Sequence, residues 1–527
     1  MIPGATGQDE RFMTPFSVEQ ARHAARRPND FRSDTIMHRV SKLAAGLTIL
    51  YGLGGTAAMT QARAQAQPLP NDIQVRLAGA ASVGQRLTRE VAKAWAVKLG
   101  LKNVRVNAGV EPDEYEVVAD RAESLRKMRI SVSSKGMGAG LEPLLRGQTD
   151  FWMGVRQARE SDLENVRKRN VPNVPSLQQF QAPGVENLVG LDPLAFLVNT
   201  RNPVKTLSYQ QLRDLYSGKI TNWSQLGGAN LPVGLYVLDP SNAITGNFCD
   251  AVLGMPEVPR CLDSMARLAA PRLPVFEDMA DAVASTPGGL GYLAVAERKN
   301  ARAVAIGTDC GTGIDATPFR VKADEYPLIG RLYLYTNPAR PLSPAARAYL
   351  DFILSNEGQA AVAKSGYGDL VPGLSPEAYS ADRMDHVRDA QDGGHTRIRP
   401  NDARSFEEAV GSADRLSITF RFQAGTNDLD SRGEADVVRL VQLMQQPAYT
   451  TKQVVLVGYS GASGDYAEGR ALSQDRAEAI RERLAAQSGL KDVVSLGVGP
   501  AAAVACNLDP NTAPLNQRVE VWLRQRT

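Results

Sequence analysis

Three stretches of this chain place small residues where a strand hands over to a helix, and the chemistry such turns offer is anion binding. In the first, Ile73 to Leu77 alternates as a strand does, and Gly79-Ala80-Ala81-Ser82-Val83-Gly84 leads into a helix with Val91, Ala94 and Trp95 on one side. The second runs from Ile130–Val132 through Gly136-Met137-Gly138-Ala139-Gly140 into a helix bearing Leu141, Leu144 and Leu145. The third runs from Tyr236–Leu238 through Ser241-Asn242-Ala243-Ile244-Thr245 into a helix bearing Phe248, Val252 and Leu253. A helix that opens directly off a strand leaves its first backbone N–H groups unpaired, and its dipole favours negative charge there. Three such turns converging between two lobes would hold one oxyanion, although any α/β protein also needs tight turns of this kind.

Other chemistry is poorly supplied. The four histidines, His23, His38, His386 and His395, fall outside the candidate folded regions, so a Ser-His-Asp, Cys-His or histidine–metal site has no obvious members. No C-x-x-C spacing occurs, which removes the usual thiol-redox and zinc patterns. The expectation is a binding protein, not an enzyme, with no cofactor. The four cysteines allow three connectivities: Cys249 and Cys261 would close a short loop, leaving Cys310 and Cys506 to pair across domains or stay free.

Charge bears on partners. Residues 1–66 hold eight Lys or Arg and five Asp or Glu, and the totals of 60 and 57 then leave 52 of each sign in residues 67–527. A formally neutral body gives no basic field for nucleic acid or anionic membrane. Within the leader, His38, Arg39 and Lys42 precede an uncharged run from Leu43 to Ala62 and then Ala64-Gln65-Ala66. That is the order of a secretory signal over 37–66, with Met37 as the start and residues 1–36 as an extension; a retained membrane anchor is the alternative.

Two regions of different texture follow. Residues 71–375 alternate strand and helix patterns, and residues 376–412 read as a polar linker with at most one short helix. From 413 to 527 the pattern is βαβαββ: strand Ile418–Phe422, a helix with Val437, Leu440, Val441 and Met444 on one stripe, strand Val454–Val457, a helix with Leu472, Ala477, Ile480 and Leu484 inward, then strands Val493–Val498 and Arg518–Leu523. It predicts a small sheet with helices on one face.

The stretch LDPLAFLVNTRNPVKTLSYQQLRDLYSGKITNWSQL, residues 191–226, resembles the phosphate-binding proteins of ABC transporters, as do GLEPLLRGQTDFWMGVR, PGGLGYLAVAE, EYPLIGRLYLY and FILSNEGQAAVAKSGYGDL in that order. The resemblance spans nearly all of residues 73–370. It implies a two-lobed periplasmic-binding-protein fold, with lobe 1 at about 71–196 and 331–375 and lobe 2 at about 197–330, closing on phosphate or another small oxyanion and serving an ABC permease. The implied ligand positions are Ser82, Gly138, Gly140, Arg156, and Ser241 or Thr245. Met137 stands where that family places a serine, and the third loop departs from its Ser-Gly-Thr. Lys135 offers either a compensating charge or a solvated loop residue.

VLVGYSGASGDYAEGRALSQDRAEAI and VACN with NQRVEV are similar to the OmpA-like peptidoglycan-associated domain. That likeness implies a small α/β sandwich over 413–527 and contact with peptidoglycan through Arg476, Asn516 and Arg518. Gly461 replaces the family's aspartate, and Asp465 lies four residues on. The combined expectation is a phosphate or oxyanion receptor in the periplasm, held at the cell wall or outer membrane. The alternative is a structural or sensory envelope protein with a degenerate clamp.

Overall fold

The periodicities resolve into strands whose alternate residues are buried. In the computed structural model, β1 (Asp72–Gly79) buries Ile73, Val75 and Leu77, and β4 (Lys127–Ser133) buries Met128, Ile130 and Val132. The structure describes residues 69–526 apart from 122–124, 240–242, 256, 266–267, 269, 275, 296–298, 308–312, 376–397, 424–425, 462–464, 489 and 508–510. The leader, Ser241, Cys310 and all four histidines therefore lie outside the described residues.

With β2 (Lys102–Ala108), β3 (Glu114–Asp120), β5 (Phe151–Gly154), β6 (Glu186–Val198), β7 (Gly289–Ala294), β8 (Arg302–Gly307) and β9 (Ile329–Tyr335), these strands form the main sheet. Its order is β8-β6-β9-β5-β1-β4-β3-β2, with β7 also on β6. β1 runs parallel to both neighbours, β4 and β5, and each is followed by a helix: α1 (Thr88–Lys98) after β1 and α2 (Met137–Leu145) after β4. β6 decides the architecture. Its Glu186–Pro193 half pairs with β9, and its Leu194–Val198 half pairs with β7 and, over Phe196 to Val198, also with β8. One strand thus serves two cores, and the other crossing strand is β9. Accordingly all but one of its 13 residues are buried, as in a strand covered on both faces. One core gathers Val75, Trp95, Ile130 and Tyr349, with Trp95 edge-on to Tyr349 at 5.3 Å. The other centres on Phe196, Phe248 and Tyr292, the last two stacked at 4.1 Å. The Cys249–Cys261 disulfide pins the helix beside that stack; Cys506 is disulfide-bonded as well.

The C-terminal region carries α3 (Pro400–Val410), β10 (Asp414–Phe420), α4 (Ser431–Met444), β11 (Lys452–Tyr459), α5 (Tyr466–Ser488), β12 (Val493–Gly497) and β13 (Arg518–Gln525), in the sheet order β10-β13-β11-β12. Val454 and Leu456 face the core built by Leu440 and Ile480, whereas Val455 and Val457 face Phe406 of α3 and Trp522. Helices therefore cover both faces and not one, because β11 is apolar on both sides and each side must leave water. Part of the stretch read as linker is this covering helix. Leu472, expected inward on α5, is instead 40 % exposed. No helix among the described residues is long and apolar enough to cross a membrane.

The C-terminal region is joined to the first by more than the intervening chain. Residues 373–375 run beside β10: the Ser417 N–H donates to the Gly373 carbonyl at 2.8 Å, and the Ser375 N–H to the Arg415 carbonyl at 2.7 Å, so that sheet edge is covered. Deeper in, Asp324 is a buried hub. Its carboxylate accepts from Arg331 of β9 at 2.8 and 2.9 Å, from Arg421 at 3.2 Å and from Arg432 of α4 at 3.0 Å. Arg421 also donates to the carbonyls of Asp324, Pro514, Leu515 and Gln517, which ties the 513–517 turn to the same point. Asp324 holds φ at 57°, left-handed backbone in which Asp is among the residues most often found. Burial alone would raise its carboxyl pKa, but Arg331, Arg432 and Arg421 together hold it well below the usual carboxylate range.

Candidate ligand site

A chamber of about 590 Å³ lies at the crossing strands. One wall is the loop after β5, from Val155 to Glu160; another is the helical segment containing Asn247 and Asp250; the floor is Tyr326 to Tyr333, and Leu515 of the C-terminal region completes it. Arg156 points its guanidinium at Asp162, bidentate at 2.8 and 2.9 Å, and donates to the Gln157 carbonyl at 2.9 Å. Arg159 reaches across to Asp250 at 2.6 Å and so links the two lobes. The Asn247 Nδ2 group is buried, with no hydrogen-bond partner among the described residues. Leaving an amide donor unpaired costs roughly 1–3 kcal/mol, so its position by the chamber marks a place for an acceptor.

The three turns fare unequally. Ser82 sits in the first helical turn, and its carbonyl accepts from the Tyr367 hydroxyl at 3.0 Å; the Ser134 hydroxyl nearby is buried without a partner among the described residues. Gly136 has φ 97°, the left-handed backbone that glycine accepts without strain, and this starts α2. At Gly138 a Cβ would meet nothing, so the helix opening there is open to a ligand. Gly140 is different: a Cβ would lie 2.3 Å from the Ala78 carbonyl oxygen, so this glycine lets the helix pack on β1. Thr245 is fully buried, and its hydroxyl donates to the carbonyls of Leu238 and Asp239 at 3.3 and 3.1 Å, which corrects its expected place against the ligand. Lys135 is paired with Glu114 at 2.9 Å on the surface, in keeping with the solvated reading. Of the five residues expected to bind an anion that are among the described residues, only Arg156 lines the chamber.

In the C-terminal region Arg476 is 6 % exposed, and its Nε and Nη1 have no hydrogen-bond partner among the described residues. The guanidinium lies over the Phe422 ring at 4.8 Å, and burial lowers its pKa. Asn516 and Arg518, expected beside it in a peptidoglycan site, are enclosed instead. The Asn516 amide is spent on Val504, Ala505 and Asn507. Arg518 bonds Glu520 and the carbonyls of Ala502 and Asn516, under the Tyr459 ring at 3.9 Å. Asp465 accepts from the Ala467 N–H at 2.6 Å and so caps α5.

Comparison with known proteins agrees with both halves. Residues 113–357 match the PBP superfamily domain and residues 421–499 the OmpA family. The chain couples a PBP-like domain to an OmpA-like domain. The phosphate-binding protein PstS of Bacillus subtilis is 26% identical over 237 residues, covering 44% of this chain and 68% of that one. PstS of Pseudomonas aeruginosa is 27% identical over 206 residues, covering 36% and 61%. Among solved structures, a putative phosphate ABC transporter substrate-binding protein with bound phosphate from Clostridium perfringens aligns at 22% identity, covering 56% of this chain and 99% of that one, with a TM-score of 0.38. In the PBP-like domain, sequence reasoning missed Arg159, Asn247, Asp250 and Arg331. They come from the loop after β5, the helical segment beyond the third turn and β9, and only the fold brings these together. The OmpA-like domain's contribution, Leu515, has no local signal at all.

Proposed function

We propose that this protein is an envelope-held solute-binding protein for phosphate or a related oxyanion. The observation that carries the reading is Arg156, which lines a chamber between two lobes and, bonded to Asp162 and Gln157, keeps two N–H groups uncommitted to them. Release to an ABC permease is the transport step that such a clamp serves, and the protein would work in the periplasm. No bond is made or broken in this reading.

Calorimetric titration of inorganic phosphate into the full chain, after unfolding and refolding to strip carried anion, tests it. Micromolar or tighter binding is expected, weakened about ten- to a hundredfold in Arg156→Ala, the loss of one charged hydrogen bond being worth roughly 1.5–3 kcal/mol. Absence of heat with phosphate, sulfate and phosphonate would leave the structural or sensory reading. That reading is favoured by the pairing of Arg159 and Arg331 with Asp250 and Asp324.

The OmpA-like domain would hold the protein at the cell wall through Arg476, whose unpaired, nearly buried guanidinium is placed for a carboxylate of the peptidoglycan peptide. Co-sedimentation with purified sacculi is expected for the wild type and lost in Arg476→Gln. Equal sedimentation of the two proteins would remove Arg476 from the role.

A further inference from the structure

The chamber is large for the ion proposed to enter it. A liquid water molecule occupies about 30 Å³, so 590 Å³ is room for on the order of 20 waters. A tetrahedral oxyanion would replace only a few of them. Pockets that hold organic molecules run from about 300 to 1,000 Å³.

A two-lobed clamp ordinarily fits a small ligand by closing, and here closure is restrained at two places. Arg159 and Asp250 already join the lobes at 2.6 Å. On the far side, consecutive residues at the start of α4 grip both ends of the crossing. The Ser431 hydroxyl donates to Glu186, at the lobe 1 end of β6, while Arg432 holds Asp324 at 3.0 Å and the Lys322 carbonyl ahead of β9. Glu186 is itself buried and also accepts from the Tyr335 hydroxyl at 2.8 Å, so the grip at that end is firm. The OmpA-like domain is therefore a strut across the hinge, and moving the lobes together would break buried ionic contacts.

The lining divides as an organic anion would require. Leu177, Leu194, Tyr326, Leu328 and Leu515 present apolar surface, which gains nothing from a bare ion but is stabilising against an apolar body. Of the five donors of Arg156, three are engaged with Asp162 and Gln157, leaving two for an oxyanion head. The unpaired Asn247 amide supplies another from the opposite lobe.

We infer that the chamber takes an organic oxyanion, a phosphate monoester with an apolar body, and that Leu515 of the OmpA-like domain is a specificity-determining contact to that body. The inference rests on the oxyanion reading of the same site. It makes the C-terminal domain a part of the ligand site as well as a tether.

Titrations of phenyl phosphate and of inorganic phosphate into the full chain separate the two claims. Phenyl phosphate is expected to bind at least tenfold more tightly than inorganic phosphate. Leu515→Ala should remove most of that preference, weakening the ester at least several-fold more than inorganic phosphate. Leu177→Ala, on the facing wall, should do the same and covers the case in which the first variant fails to fold, as a thermal melt would show. Inorganic phosphate binding as tightly as the ester, or both variants weakening both anions alike, overturns the inference and leaves the oxyanion reading standing. Failure of both anions to bind overturns both.

Discussion

Asp324→Ala is expected to destabilise the protein by at least about 3–5 kcal/mol, the usual consequence of removing one partner from a buried ionic group. Three guanidiniums, those of Arg331, Arg421 and Arg432, would then face one another with at most 24 % side-chain exposure and no shared carboxylate. The loss should fall at the junction of the domains. Denaturant unfolding followed by intrinsic fluorescence is expected to change from one transition to two, the OmpA-like domain leaving first. A single transition with an unchanged midpoint would show that the hub does not hold the domains together. The pH dependence has a definite sign. Because the folded pKa of Asp324 is depressed, its stabilisation is present above the unfolded value of about 3.9 and declines as pH falls below it. The wild type should therefore lose stability below about pH 4 more steeply than Asp324→Ala, which has no such carboxylate to protonate.

Glu520→Gln should be nearly as costly, again about 3–5 kcal/mol, because Glu520 is fully buried between two fully buried arginines. Arg518 bonds it at 2.7 Å, Arg415 approaches at 3.3 Å, and Tyr459 and Trp522 donate to its second oxygen at 3.1 Å each. The Arg415 contact is an ion pair without hydrogen-bond alignment, since Arg415 Nε has no hydrogen-bond partner. An amide keeps the shape but removes the charge that both guanidiniums require. Arg415 would be left with its carbonyl contacts and with Glu325 at 3.8 Å in the PBP-like domain. Urea denaturation of the full chain is the measurement, and a shift under about 1 kcal/mol would mean that the carbonyls alone satisfy both arginines.

These two carboxylates mark the limit of what could be read along the chain. Turn chemistry is local, so Gly136, whose left-handed backbone suits glycine, announced the start of α2 without any tertiary information. The stripe of Val437, Leu440 and Met444 announced the buried face of α4 in the same way. Val455 and Val457 give β11 a second buried face, which the expectation of helices on one face overlooked. The alternation of strand and helix was legible through such local signals, and the two lobes and the OmpA-like sandwich through the motifs that resemble those families.

Pairing between distant polar groups is not local. Asp324 meets Arg421 and Arg432 across 97 and 108 positions, and nothing in DEYPLIGR distinguishes this aspartate from a solvated one. The same limit explains the site. Thr245 carries the residue type an anion turn wants, yet its hydroxyl is consumed by carbonyls of its own strand end. Asn516 and Arg518 keep the residue types of a peptidoglycan contact, yet the fold spends them internally. By itself the sequence determined the elements, because each follows from period or turn type over a few adjacent residues, and its longer motifs carried the resemblance that named the two kinds of domain. Only the tertiary structure decided which polar groups are satisfied within the fold and which, like Arg476 and Asn247, keep atoms without a partner among the described residues, because hydrogen-bond capacity is finite and its partners arrive from anywhere in the chain.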